Sequence, residues 1–362
     1  MFTLYRYELK KIFSQKAFLY SFVLLFLLVN AIACTPMVTG SIEDVKAKEE
    51  ISGRAIDESL IYELYDDKEN PKFYDIKEFI KYCTNSNQYE GLNSEDIYNK
   101  RIETLKQYYA EDYLSEKEIK YWNDKELKLV KPFTYKKADA YTEVYNSVYV
   151  LNFVSLILVA ISITGIFADE KSSGADQIIY SSKYGRNKLF VSKLLAALTI
   201  GIIIPTIIYI PIVITNIIVY GSNGFDACLQ IFMPQALYSF SIGESVIIMF
   251  GLLVVASLTY VAFAMCLSII TKNHSASSAA MIVMMFLAMF NIPHRFRLIS
   301  QLWNIIPSGH IGTWTLIEYR LINIFGHYFN TLQYSPIIWA FVAITLIIIA
   351  KLAYSKYQVE GK

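Results

Sequence analysis

Six apolar runs constrain this chain more than anything else in it: roughly Ala17 to Thr35, Asn146 to Ala168, Leu194 to Tyr220, Ser245 to Thr271, Ser275 to Pro293 and Pro336 to Tyr354. A helix needs about 20 mostly apolar residues to cross a hydrocarbon core of roughly 30 Å. The first five runs contain no Asp, Glu, Lys or Arg, and the sixth carries only Lys351 near its end. A long side chain there can reach the interface. One charge at the centre of a span costs about 2.5–3.5 kcal/mol on insertion scales. Five clean runs therefore read as membrane spans and not as the core helices of a soluble protein.

The net charge of +1 hides a segregation. Between Pro36 and Tyr145 fall 24 Asp/Glu and 17 Lys/Arg, 41 of the 65 charges of the 362-residue chain. The expectation is an all-α polytopic membrane protein of six transmembrane helices, with a mainly helical extracellular insertion between spans one and two. Residues 1–35 hold an interfacial helix and the first span, 36–145 the extracellular domain, and 146–362 five spans with a cytoplasmic loop at 169–193. Lys/Arg placement in the short loops sets the orientation. With the N-terminus inside, 13 basic residues are cytoplasmic and three (Arg295, Arg297 and Arg320) are outside, so both termini are expected in the cytoplasm. A competing reading takes the basic start, the first apolar run and Ala31–Cys34 as a cleaved signal or lipoprotein box, but five further spans follow. Cys83 and Cys228 both face outside in this topology; a disulfide between them and two unpaired thiols are the alternatives.

Residues 1–16, MFTLYRYELKKIFSQK, form an amphipathic pattern with Phe2, Tyr5, Leu9, Ile12 and Phe13 on one face and Arg6 and Lys10 on another. In the insertion, Ile56, Leu60 and Leu64 recur at helical spacing, Asn70-Pro71 breaks the pattern, and Phe73–Cys83 resumes it. Ser94 starts a further helix, and SEKE at Ser115–Glu118 is a capping box. No strand-like alternation lasts. The loop before the last span is far more apolar than a connector needs to be. Trp303, Trp314, Tyr319 and Tyr328 suit an interfacial belt, and breaks at Pro307 and Gly309 suggest helices lying on or dipping into the outer leaflet.

Most catalytic chemistry finds no foothold. The sequence has no GxxxxGK[ST] phosphate loop and no HExxH, and no span carries paired acids. His274, His294, His310 and His327 have no second metal ligand at helical spacing. The expectation is a chain with no catalytic, metal or cofactor-binding residues of its own, and nothing points to nucleic acid.

The segment Phe167–Leu195, FADEKSSGADQIIYSSKYGRNKLFVSKLL, puts eight charged residues between two apolar runs. A positive-inside loop explains its basic residues. It does not explain an acid, a glycine and an apolar pair followed by a short amphipathic helix. That order resembles the type-2 ABC-transporter permease family, the membrane subunits of ATP-driven exporters. Its loop after the second span has a Glu, a Gly, an apolar pair, a Ser or Pro turn, an Arg, and a Lys opening the third span. Glu170, Gly174, Ile178, Ile179, Ser182, Arg186 and Lys193 stand in that order here. The family's usual Thr-Pro at the turn is replaced by Ser181–Gly185, without the proline. The opening YRYELKKIFSQKAF is also similar to the family's interfacial helix.

The resemblance implies a coupling helix around Asp176–Ser182, seated in a groove of a separate cytoplasmic ABC ATPase that binds the ATP. It also implies a homodimer, or a heterodimer with a second permease, in a bacterial plasma membrane. The alternative is a polytopic sensor or assembly protein that binds a ligand with its extracellular domain and has no ATPase.

Overall fold

Apolar runs become helices because a helix satisfies its own backbone N–H and C=O groups where no water is available. A computed structural model describes residues 2–39, 42–67, 69–85, 91–175, 178–179 and 187–356. Helix α1 (Phe2–Phe13) turns at Ser14–Gln15 into α2 (Lys16–Thr39), with a bend of 62° between Phe2–Phe13 and Phe18–Ala31. The face of α1 turned to the protein differs from the expected one. Ile12 is buried and Tyr5 and Leu9 pack on the core, but Phe2 and Phe13 are exposed and Glu8 is buried. A charged partner draws Glu8 inward, as described below.

The polar insertion is helical. Its labelled helices are α3 (Glu58–Asp66), α4 (Tyr74–Thr84), α5 (Ser94–Glu111) and α6 (Glu116–Glu126). Asp57 caps α3 by accepting from the Leu60 N–H at 3.1 Å, and Asn93 caps α5 through the Asp96 N–H at 2.7 Å. The Ser115–Glu118 capping box opens α6. Asn70-Pro71 begins a short 3-10 turn, and α4 follows it. Leu60, Phe73, Ile76 and Phe79 are fully buried in a core of the insertion's own, each contributing about 1.5–3 kcal/mol.

The insertion's second half belongs to the bundle. Leu105, Tyr109 and Trp122 lie in the core that contains the long helices. Arg101, with no exposed surface, donates to Glu126 at 2.8 and 2.9 Å and to the carbonyls of Pro234 (2.7 Å) and Ala236 (3.1 Å). Cys83, Cys228 and Cys266 are free thiols. Nothing is described of the Cys34 side chain.

The bundle comprises α7 (Asp139–Ile163), which continues past Thr164 into α8 (Gly165–Ser172), then α9 (Lys188–Tyr220) and α10 (Ile242–Thr271). The last three labelled helices are α11 (His274–Leu287), α12 (Arg297–Trp303) and α13 (Thr331–Lys356). Helix α10 is central and packs on α13, α7, α9 and α11. At the α9–α10 crossing, Ser257 Oγ donates to the Gly201 carbonyl at 2.6 Å. A Cβ at Gly201 would lie 2.7 Å from a Val261 methyl, so a small residue is required for this approach.

Among the described residues four helices are long and apolar enough to cross a membrane: Asp139–Ser172, Lys188–Tyr220, Ile242–Thr271 and Thr331–Lys356. The bent α1–α2 pair brings the number to five if it counts as one span. The run Ser275–Pro293, expected as a span, gives a helix of 14 residues. That is about 21 Å at 1.5 Å per residue, short of the roughly 30 Å core. The helix stops before Asn291-Ile292-Pro293, where the proline disfavours helical backbone in the residue before it.

The segment between α11 and α13 is only partly helical. After α12 it makes 3-10 turns at Pro307–Gly309 and Thr313–Ile317. A two-stranded hairpin follows, β1 (Ile322–Ile324) with β2 (His327–Phe329), pairing Ile322 with Phe329. This hairpin departs from the helices expected in this segment, while the chain as a whole is mostly helical. β-Branched and aromatic residues flank Phe325-Gly326, which turn at φ 51° and 86°, the left-handed geometry that tight hairpins use.

Candidate functional site: the polar end formed by α1, α8 and α9

Three helix ends meet where the charge-rich segment leaves the bundle. Helix α8 begins immediately beyond Thr164, and Ser268 Oγ on α10 accepts the N–H groups of Phe167 (3.1 Å) and Ala168 (3.0 Å). This contact fixes the direction in which Asp169 and Glu170 leave α8.

Lys193, on the second turn of α9, is entirely buried. Its ammonium donates to Glu170 Oε1 at 2.6 Å, to the Ile166 carbonyl at 2.7 Å and to Glu8 Oε2 at 3.1 Å. Three donors meet three acceptors, which is what a desolvated ammonium requires. The Phe167 ring lies 5.3 Å from the same nitrogen. An ion taken out of water costs several kcal/mol unless its partners are close and complete; here they come from two helices, α1 and α8. Lys11 adds a second cation on Glu170 at 3.1 Å. The inner cluster thus balances Lys193 and Lys11 against Glu8 and Glu170.

Asp169 continues the network. Gln15 Nε2 donates to it at 3.2 Å, and His274 Nδ1 at the start of α11 lies 3.2 Å from its other oxygen. Tyr5 and Thr199 share a hydroxyl hydrogen bond of 3.0 Å, and Phe167 stacks on Phe190 with the Tyr354 ring tilted against both. Helix α1 is thereby fastened to α8, α9 and α11 as one unit. A groove of about 580 Å³ opens along it, its walls including Leu4, Tyr7, Ser173, Ala175, Ile179 and Leu189.

Of the residues singled out in the sequence, Glu170 and Lys193 meet directly. Gly174 adopts φ +69°, the left-handed region that favours glycine, with open space around it. Ile178 is 77% exposed, and Ile179 lines the groove. Asp176, Ser182 and Arg186 lie outside the described residues. Sequence reasoning missed Glu8, Lys11, Gln15, Asp169 and His274 as partners in this cluster. One signal was available: Glu8 is an acid inside an otherwise basic amphipathic helix.

A family model described as ABC-2 family transporter protein matches residues 28–351. The chain belongs to this family, whose members are membrane subunits of transporters and not catalytic subunits. No curated protein and no solved structure matches it.

Proposed function

We propose that this chain is the permease of an ATP-driven exporter in the plasma membrane, working as a homodimer or with a sibling permease. The proposed topology has six spans, with both termini in the cytoplasm and the polar insertion outside. The bent α1–α2 pair contributes the first span. Helix α11, with the non-helical segment after it, forms a fifth crossing whose outer half is completed by turns buried in protein. Ser308 supports that reading: it is buried, its hydroxyl meets Tyr260 of α10 at 2.9 Å, and it donates to the Met285 carbonyl of α11 at 3.3 Å.

The observation that carries the proposal is the buried Lys193 bound to Glu8 and Glu170. A loop that only anchored topology would leave its lysine in water. This arrangement instead makes α1, α8 and α9 respond together to any force on residues 174–187. In this reading a separate phosphate-loop ATPase receives Ile178 and Ile179, and Asp176, Ser182 and Arg186 help set partner choice. Closure of two ATPase subunits on ATP tilts the rigid unit and opens a path for cargo, as packed bodies move against one another.

Purification in mild detergent with mass spectrometry of the co-purifying proteins tests the proposal. A stoichiometric phosphate-loop ATPase is expected, lost when Ile178→Asp and Ile179→Asp are combined while membrane insertion is unchanged. An ATPase retained by the double variant removes the coupling role, and a preparation without any ATPase favours the sensor reading.

A further inference from the structure

A second cleft, at the opposite end of the bundle, takes no part in the coupling cluster. Its volume is about 580 Å³, and it lies between the C-terminal end of α5, Tyr149 on α7, the end of α11 and the turns after α12. Its chemistry divides by depth. The mouth carries exposed Met289, Phe290 and Trp314, and neighbouring α12 exposes Leu298, Ile299 and Leu302. The interior holds His310, Glu318, Asn304 and the paired Asp112 and His294.

His310 is the unusual member. It is 3% exposed, and neither ring nitrogen has a hydrogen-bond partner among the described residues. A buried neutral imidazole offers one donor and one acceptor. Buried polar groups without partners are costly, so they ordinarily have them. Glu318 beside it is committed to Arg320 at 2.6 and 2.7 Å and to Asn304 at 3.0 Å.

The charge of the lining selects the ligand. Glu111, Asp112 and Glu318 line the cleft and no Lys or Arg does; Arg320 behind the lining offsets Glu318 and His294 is held by Asp112, which leaves Glu111 as the lining carboxylate without an ion pair among the described residues. Tyr149 and Trp314 pack with their rings tilted by 56° and their centres 4.6 Å apart, and Tyr108, Phe290 and Tyr319 add further aromatic surface. Carboxylates with aromatic faces attract a cation and repel an anion. An apolar lip above a polar floor suits a molecule with a tail.

We infer that this cleft binds a cationic amphiphile, its amine head on the floor formed by His310 and the acidic wall, and its tail leaving past Met289, Phe290 and Trp314. As a station on the outer side of the export path the site rests on the permease function proposed above; as a binding site it does not.

Equilibrium binding of tritiated dodecylammonium to the protein in zwitterionic lipid nanodiscs tests this, with tritiated dodecanoate as the anionic control and empty nanodiscs as the blank. Saturable binding of the amine alone is expected. His310→Phe, which fills the floor with an apolar ring, should weaken it about tenfold or more. Glu111→Lys, at an exposed position, should weaken it several-fold and cannot be confused with misfolding if the thermal transition is unchanged. No saturable amine binding, equal binding of dodecanoate, or indifference to both variants would overturn the inference. ATPase co-purification, measured on the same preparations, reports separately on the permease reading.

Discussion

At the residue scale, the structure turns on one lysine. Lys193 holds two acids from distant parts of the chain, Glu8 and Glu170, at 3.1 and 2.6 Å. Removing the cation leaves the buried Glu8 carboxylate without its partner and Glu170 with Lys11 alone, and breaking a buried pair in this way costs about 3–5 kcal/mol. Lys193→Met should therefore lower the thermal unfolding midpoint in nanodiscs, followed by tryptophan fluorescence, well beyond the effect of Lys351→Met, which lies at an exposed position. Equal effects would mean that the cluster contributes little. The family's residue order pointed to Lys193 and Glu170, but not to Glu8. An ion pair spanning 185 residues leaves no periodic trace, and Glu8 alone reads as one more charge on an interfacial helix.

At the element scale, most helices were legible because their causes are local. The Ser115–Glu118 capping box and the break at Asn70-Pro71 fall where the sequence put them. The departures lie from α11 to α13, where tertiary contacts decide. A clean apolar run became a 14-residue helix and a hairpin replaced part of an expected helical loop. Helix α6 is docked there by Glu118. Burial opposes ionisation of this carboxyl, but Arg297, the Leu321 N–H at 2.8 Å and the Ser115 N–H at 2.9 Å outweigh it. Its folded pKa therefore lies below the ordinary value of 4.5. A depressed carboxylate pKa stabilises the fold above the unfolded value, and that contribution is lost as pH falls through the folded one. The stability difference between the native protein and Glu118→Gln should be full at pH 6 and shrink below about pH 4.5. A difference that stays constant across this range would contradict the assignment.

At the scale of the whole molecule, the charge segregation read from composition corresponds to a polar insertion set on an apolar bundle, but the two are less separable than the sequence suggests. Trp122 donates to the Tyr319 carbonyl at 2.6 Å and stacks edge-on with Tyr238; Arg101 is bound to carbonyls of the α9–α10 connection. Deleting residues 41–137 should leave the spans inserted, as assayed by protease protection, while the bundle unfolds at lower temperature because this cover is lost. Failure to insert would contradict the proposed topology.

The central claim is that the unit made by α1, α8 and α9 is the seat of a separate ATPase. The most direct measurement replaces Ile178 with a photo-crosslinking phenylalanine analogue, irradiates native membranes and identifies the adduct by mass spectrometry. A crosslink to a phosphate-loop ATPase, absent when the analogue stands at Leu24 in α2, is the expected result. Adducts at position 178 confined to lipid, or to a protein without a phosphate loop, would contradict it.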